Sequence, residues 1–212
     1  TGYPLPQSVI DAATADGRAQ GIACFGLDPN RKTLLVFGGS LGARAVNIGV
    51  INILPQLVEA GIQIIHVTGK RDDERAAEQV AALGELPNKA HYHAYTYLDD
   101  LPLAMAAADL VVCRAGASTL AEFPIFGLPS ILIPLAYSWR YQQVHADYLA
   151  ERNAAIHLPE ETMDTRLLPT ILDLLQNDDT LAALRDGARA LARPDGARNV
   201  AHELAQLAGT KT

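Results

Sequence analysis

Cysteine is nearly absent from this chain: only Cys24 and Cys113 occur in 212 residues. They show no C-x-x-C spacing and have no histidine cluster beside them, which argues against a disulfide framework or a metal site and suits a reducing cytoplasm. No apolar run approaches the roughly 20 residues that span a bilayer, and no signal-peptide pattern opens the chain. Positive charge is also scarce. Lys and Arg number 17 against 24 Asp and Glu, a formal net charge of -7. Nonspecific nucleic-acid binding depends on basic side chains neutralising phosphates, so that balance argues against it. A phosphate ligand stays open, because backbone N–H groups bind one without a basic surface. There is no initiator Met: the chain starts at Thr1 and runs through Gly2-Tyr3-Pro4-Leu5-Pro6 as a connecting segment does. It reads as a fragment or processed chain.

What is present is an ordinary globular composition, 49% apolar and 19% charged, in a length that suits one α/β domain. Residues 1–32 are weakly patterned, with one short helix expected around Ser8–Thr14. Thr33–Phe37 is then a continuous β-rich apolar run, as expected of a strand buried on both faces. Further strands are expected at Ile62–Val67, His91–Ala94, Leu110–Cys113, Ser130–Pro134 and Ala154–Leu158. Helical spacing falls between them, at 43–57, 72–83, 101–108, 118–126 and 141–151. Three more helices close the chain, at 163–175, 180–191 and 197–207. Strands alternating with helices predict an α/β fold: an open parallel sheet with helices on both faces, Rossmann-like.

Two glycine loops carry the chemistry. Gly38-Gly39-Ser40-Leu41-Gly42-Ala43 leaves a strand and opens a helix. Its glycines let backbone approach a ligand, and the first N–H groups of the helix have no intrahelical partner and favour an anion. Ser40 adds a hydroxyl. A plain tight turn reads equally well there. The spacing is neither G-x-G-x-x-G nor G-x-x-x-x-G-K-(S/T), so a dinucleotide fingerprint or P-loop is unsupported.

The second loop, Cys113-Arg114-Ala115-Gly116-Ala117-Ser118-Thr119-Leu120-Ala121-Glu122, also runs from a strand end into a helix, where α/β sheets bind ligands. Gly116 permits the close turn, N–H groups near Ala117–Thr119 can face an anion, and Arg114 adds a cation. Thr119 can bond a phosphate oxygen and Glu122 can accept from two ribose hydroxyls. A capping box, with Ser118 or Thr119 as N-cap and Glu122 reaching back, fits the same residues. Likewise Arg114 fits a pairing with an acidic surface residue.

Six segments in order, GGSLGARAVN (38–47), TGK (68–70), YLDD (97–100), AADLVVCRAGASTLAE (107–122), FGLPSILIP (126–134) and YQQVHA (141–146), resemble the C-terminal, donor-binding domain of the MurG family of N-acetylglucosaminyltransferases, of the glycosyltransferase-B type. The resemblance covers nearly the whole chain. It implies an interdomain segment and lead-in at 1–32 and a UDP-sugar-binding domain at 33–212. It implies UDP-N-acetylglucosamine as donor, with no cofactor and no metal. Tyr97 and Leu98 fall where the family packs on the uracil, Glu122 on the ribose, Thr119 near the diphosphate and Gln142 on the donor sugar. Gly39 and Ser40 fall near the diphosphate and the acceptor side.

The family's Asn-Pro-Val-Arg segment is replaced by Tyr3-Pro4-Leu5-Pro6, which removes an Asn and an Arg. Its Gln-x-x-Asn-Ala appears as Gln142-Gln143-Val144-His145-Ala146, so His145 and Gln143 join the donor-binding candidates at the changed motif. A lone helical His also fits a packed residue.

The implied activity is inverting hexosyl transfer to a lipid-linked muramyl-pentapeptide in peptidoglycan synthesis. In the family the general base and acceptor site belong to an N-terminal domain, with peripheral contact at the cytoplasmic face of the plasma membrane. The present chain alone is therefore expected to bind donor without turnover. Another UDP-sugar enzyme of the same fold, or a catalytically idle nucleotide-sugar-binding domain, would carry the same loops.

Overall fold

The structure is a computed structural model and describes residues 1–39, 42–86, 88–135 and 141–209. Six strands form one sheet: β1 (Thr33–Phe37), β2 (Gln63–Val67), β3 (Tyr92–Tyr95), β4 (Leu110–Cys113), β5 (Ser130–Leu132) and β6 (Ala155–His157). Their order is β3-β2-β1-β4-β5-β6, and every neighbouring pair is parallel. This is a Rossmann-like α/β domain. The chain winds outward from β1 in one direction through β2 and β3, then returns to β4 on the other side of β1. That reversal leaves a crevice between β1 and β4 at their C-terminal ends.

Side-chain alternation along the strands builds two cores. Leu34, Val36, Ile64, Val112 and Ile131 face one side, where they meet α3 (Arg44–Asn52), α4 (Leu54–Glu59), α9 (Met163–Gln176) and α10 (Asp178–Ala190). Leu35, Phe37, Ile65, Val111 and Leu132 face the other, beneath α2 (Gly17–Phe25), α6 (Leu101–Ala107), α7 (Thr119–Phe126) and α8 (Tyr141–Ala150). Burial on both faces is why β1 and β4 read as unbroken apolar runs. The helix α5 (Asp73–Ala82) follows β2, and α1 (Gln7–Ala12) lies against α6.

Two helical expectations need correction. The single helix expected over 43–57 is two, α3 and α4, because Pro55 has no N–H to donate to Ile51 and the ladder breaks at Ile53, with φ -106 and ψ 3. The weakly patterned lead-in contains α2, which carries no amphipathic stripe yet packs along α6. A Cβ at Gly21 would lie 2.3 Å from the Leu103 carbonyl, so glycine permits that close approach.

The last helix, α11 (Gly196–Gly209), begins against the first residues of the chain: Asn199 Nδ2 donates to the Thr1 carbonyl at 2.9 Å. From residue 201 to 209 it is exposed, Leu204 and Leu207 included. Among the described residues no helix is long and apolar enough to cross a membrane.

Candidate functional site

The two glycine loops leave adjacent strands. Phe37, the last residue of β1, pairs in register with Cys113, the last of β4. The loops that follow therefore open side by side at the crevice. Gly38, Gly39 and Gly42 of the first loop and Arg114, Gly116, Ser118 and Thr119 of the second line one cleft of about 750 Å³. Gln142, at the start of α8, lines it as well.

The first loop turns sharply. Gly39 and Gly42 both have φ +84, and a Cβ at Gly42 would lie 2.4 Å from the Thr68 carbonyl. Here glycine is required by both conformation and space. The turn delivers the N-terminus of α3 to the cleft without a side-chain cap and without an acidic residue in its first turn. Arg44 and Ala45 of that turn line the cleft too. Uncapped N–H groups and the positive end of the helix dipole thus face open space, an arrangement that receives an anion. Ser40, an expected contact in this loop, lies outside the described residues, as does Leu41.

In the second loop the side chains are more occupied. The Thr119 hydroxyl donates to the Gly116 carbonyl at 2.6 Å, and its N–H bonds the same carbonyl at 3.2 Å. A phosphate oxygen accepts, so contact with Thr119 requires that hydroxyl to turn. The N–H of Leu120 is likewise used, by the Ala117 carbonyl at 3.3 Å. No capping box forms. Ser118 makes no side-chain cap bond; its carbonyl accepts the Glu122 N–H at 2.8 Å. Glu122 is half-buried beside the cleft rather than among its lining residues, and burial raises its pKa, partly offset by Ser118.

Arg114 is tied down. Its Nη1 donates to the carbonyls of Ile133 at 3.1 Å and Pro134 at 3.3 Å and pairs with the Glu160 carboxylate. The alternative of an acidic partner is what the structure contains, although part of Arg114 still borders the cleft. Cys113 beneath it is buried, and burial, with Glu122 nearby, pushes its thiol well up, so it is no nucleophile.

From α8, Gln142 Oε1 accepts the Leu135 N–H at 3.0 Å. His145 Nδ1 donates to the Ala115 carbonyl at 3.0 Å, which fastens α8 to the second loop. Gln143 is half-buried and outside the cleft lining. Tyr97 and Leu98 sit on the loop after β3, on the same edge of the sheet but two strands from β1. Tyr97 is exposed, with Lys70 Nζ 5.1 Å from its ring centre, while Leu98 packs on the core. The expected residues thus divide. Gly39, Arg114, Gly116, Thr119 and Gln142 converge on the cleft; Ala117, Glu122, Gln143 and His145 belong to the second loop, α7 and α8 but not to its lining, and Tyr97 and Leu98 stand apart, two strands away.

Residues 33–200 match the sequence pattern of the glycosyltransferase family 28 C-terminal domain. The chain belongs to that family, as a C-terminal domain of the MurG type. It is 37% identical over 211 residues to the UDP-N-acetylglucosamine--N-acetylmuramyl-(pentapeptide) pyrophosphoryl-undecaprenol N-acetylglucosamine transferase of Bacteroides fragilis, covering 98% of this chain and 54% of that protein. The enzyme of the same name from Roseiflexus is 39% identical over 229 residues, with 98% of this chain and 50% of that protein covered. Among solved structures, MurG of Acinetobacter baumannii superposes with a TM-score of 0.75 at 26% identity, over 92% of this chain and 55% of that one. This family 28 domain spans about half the length of the relatives it matches.

One cleft residue of the family 28 domain escaped sequence reasoning. The Arg44 side chain is exposed in the first turn of α3 and makes no hydrogen bond or ion pair among the described residues. A cation at the positive end of a helix dipole is unfavourable unless an anion sits between them. That placement, immediately after Gly42-Ala43, was the available signal.

Proposed function

We propose that this family 28 domain binds UDP-N-acetylglucosamine as the donor half of an inverting N-acetylglucosaminyltransferase that acts on a lipid-linked muramyl-pentapeptide. The observation that supports this most is the cleft between β1 and β4, which two glycine loops, the uncapped N-terminus of α3 and Arg44 line together. The family membership and the names of its relatives supply the sugar and the acceptor.

In this reading the diphosphate lies across the first loop, against the α3 N–H groups and Arg44. As the bond from the anomeric carbon to the diphosphate breaks, negative charge accumulates on the leaving UDP. Fixed N–H dipoles, with the Arg44 guanidinium at the same helix end, stabilise it without a metal. Glu122 holds the ribose hydroxyls, Gln142 the sugar, and the loop of Tyr97 and Leu98 the uracil. The base that deprotonates the acceptor hydroxyl lies in the part of the relatives that this chain does not span, so the chain alone binds donor and does not turn over. The whole enzyme works at the cytoplasmic face of the membrane, held there peripherally through that other part.

Calorimetric titration of the 212-residue chain with UDP, UDP-N-acetylglucosamine and UDP-glucose tests this. Saturable binding with the N-acetylated sugar preferred supports the reading, as does its loss in Glu122→Ala. Absence of saturable binding, or affinity unchanged in that variant, sinks the donor site as drawn. Equal affinity for all three ligands favours a nucleotide-binding domain without sugar selection.

A further inference from the structure

A second cavity opens at the other end of the sheet and has a different character. It measures about 500 Å³ and is bordered by Arg18, Arg185 and Arg189, with Asp109 and the apolar side chains of Met105 and Phe126. Asp109 immediately precedes β4, and Gly127, on its rim, lies just before β5. The cavity therefore faces the N-terminal ends of the strands, opposite the cleft between the glycine loops.

Its charges do not balance. Three guanidinium groups surround one carboxylate, and that carboxylate is already engaged. Asp109 Oδ2 accepts the Thr33 N–H at 2.8 Å and Arg18 Nη2 at 3.3 Å, and Oδ1 lies 3.1 Å from the same Arg18 nitrogen. Arg185 reaches only to 3.8 Å from Oδ1, beyond hydrogen-bond distance. Arg189 is 3.8 Å from Asp186, whose side chain is largely exposed.

Arg185 and Arg189 are one helical turn apart on α10 and so project from the same face. Gly127 helps aim the second of them: with φ +58 and no side chain, it lets the Arg189 stem lie across it, where a Cβ would come within 2.6 Å of Cγ. Two guanidinium groups thus border one cavity, each held only by a long ion pair of 3.8 Å, Arg185 to Asp109 and Arg189 to Asp186. Guanidinium forks match the oxygens of a phosphate, and the cavity volume falls in the range of small-molecule sites, about 300–1,000 Å³.

We propose that this cavity is a second ligand site, independent of the donor cleft, which takes a phosphate-bearing molecule between Arg185 and Arg189 with its apolar part toward Met105 and Phe126. The phosphate arrives either on a soluble ester or on the headgroup of an anionic lipid; the chemistry recognised is the same.

The test uses inorganic phosphate and, separately, vesicles of phosphatidylglycerol with phosphatidylcholine against phosphatidylcholine alone. Amide chemical-shift mapping of the 212-residue chain should show saturable phosphate-dependent shifts at Gly127 and along α10, distinct from any at Gly38–Arg44. The double variant Arg185→Gln, Arg189→Gln should weaken those shifts about tenfold or more in apparent affinity and leave UDP binding as it was. Co-sedimentation with the anionic vesicles that disappears in the double variant identifies a lipid headgroup as the source. Phosphate binding without vesicle binding identifies a soluble ester. Shifts confined to the glycine loops, or binding to both probes unaltered by the double substitution, overturns the proposal.

Discussion

The buried imidazole of His66 donates from Nε2 to Asn47 Oδ1 at 3.0 Å, and the partners on either side fix the direction of that bond. Asn47 Nδ2 donates to the Thr68 carbonyl at 2.8 Å, so its oxygen must face the histidine. Nδ1 of His66 then accepts from the Tyr92 hydroxyl at 3.0 Å. The chain of bonds runs from β3 through β2 to α3 and ends on the carbonyl that Gly42 approaches. A neutral network thus braces the first glycine loop from beneath.

That network makes the domain acid-sensitive. Burial lowers His66 from 6.5 to about 4, so below pH 6.5 the unfolded chain takes up a proton that the folded chain refuses. The stabilisation is whole above pH 6.5 and is lost as pH falls from there to about 4, a total on the order of 3 kcal/mol. Urea unfolding at pH 7.5 and at pH 5 should show a loss larger by about 2 kcal/mol in the parent than in His66→Gln, which keeps a donor and an acceptor. Parallel losses in the two proteins would mean that His66 does not titrate in this way.

The close approach of Gly42 to Thr68 gives a second outcome. Gly42→Ala places a Cβ 2.4 Å from a carbonyl oxygen at φ +84, whereas Gly84→Ala meets nothing within 4 Å at φ +74. Both substitutions suffer the left-handed backbone penalty, about 1 kcal/mol or somewhat more. Only the first must also displace the turn after β2, so it should cost at least about 2 kcal/mol in chemical denaturation and should loosen donor binding. Equal costs at the two glycines would show that the loop gives way freely.

How much of this was legible in the sequence depended on how local the cause was. β1 and β4 could be read to the residue because burial on both faces leaves an uninterrupted apolar signature. The glycine loops could be read because each follows such a strand. By contrast α2 is held by the closeness of Gly21 to Leu103, which leaves no periodicity, and the break at Ile53 follows from one missing N–H at Pro55. In the site, Arg114 looked equally suited to a ligand or to a carboxylate. Its partner, Glu160, lies 46 residues away in sequence, and only the tertiary fold brings the two together. The hydroxyl of Thr119 was likewise claimed by a carbonyl three residues back, a choice that residue type alone does not decide.

Glu122 separates stability from function most directly. Burial raises its pKa above the ordinary 4.5, with the Ser118 hydroxyl acting in the opposite direction. A carboxylate with a raised folded pKa destabilises the fold once it ionises. That cost begins as pH rises through the unfolded value and is complete above the folded one. Glu122→Gln removes the charge but keeps the shape, so the ligand-free domain should melt higher than the parent at pH 7.5, with the gain fading near pH 4. UDP affinity should move the other way, falling about tenfold or more as a charge-assisted acceptor for the ribose hydroxyls is lost. A stabilising substitution that weakens binding marks a group retained for its ligand. Melting curves at the two pH values, with UDP titrations on the same samples, decide it. A Gln variant that melts lower and binds UDP like the parent would reduce Glu122 to a structural partner of Ser118.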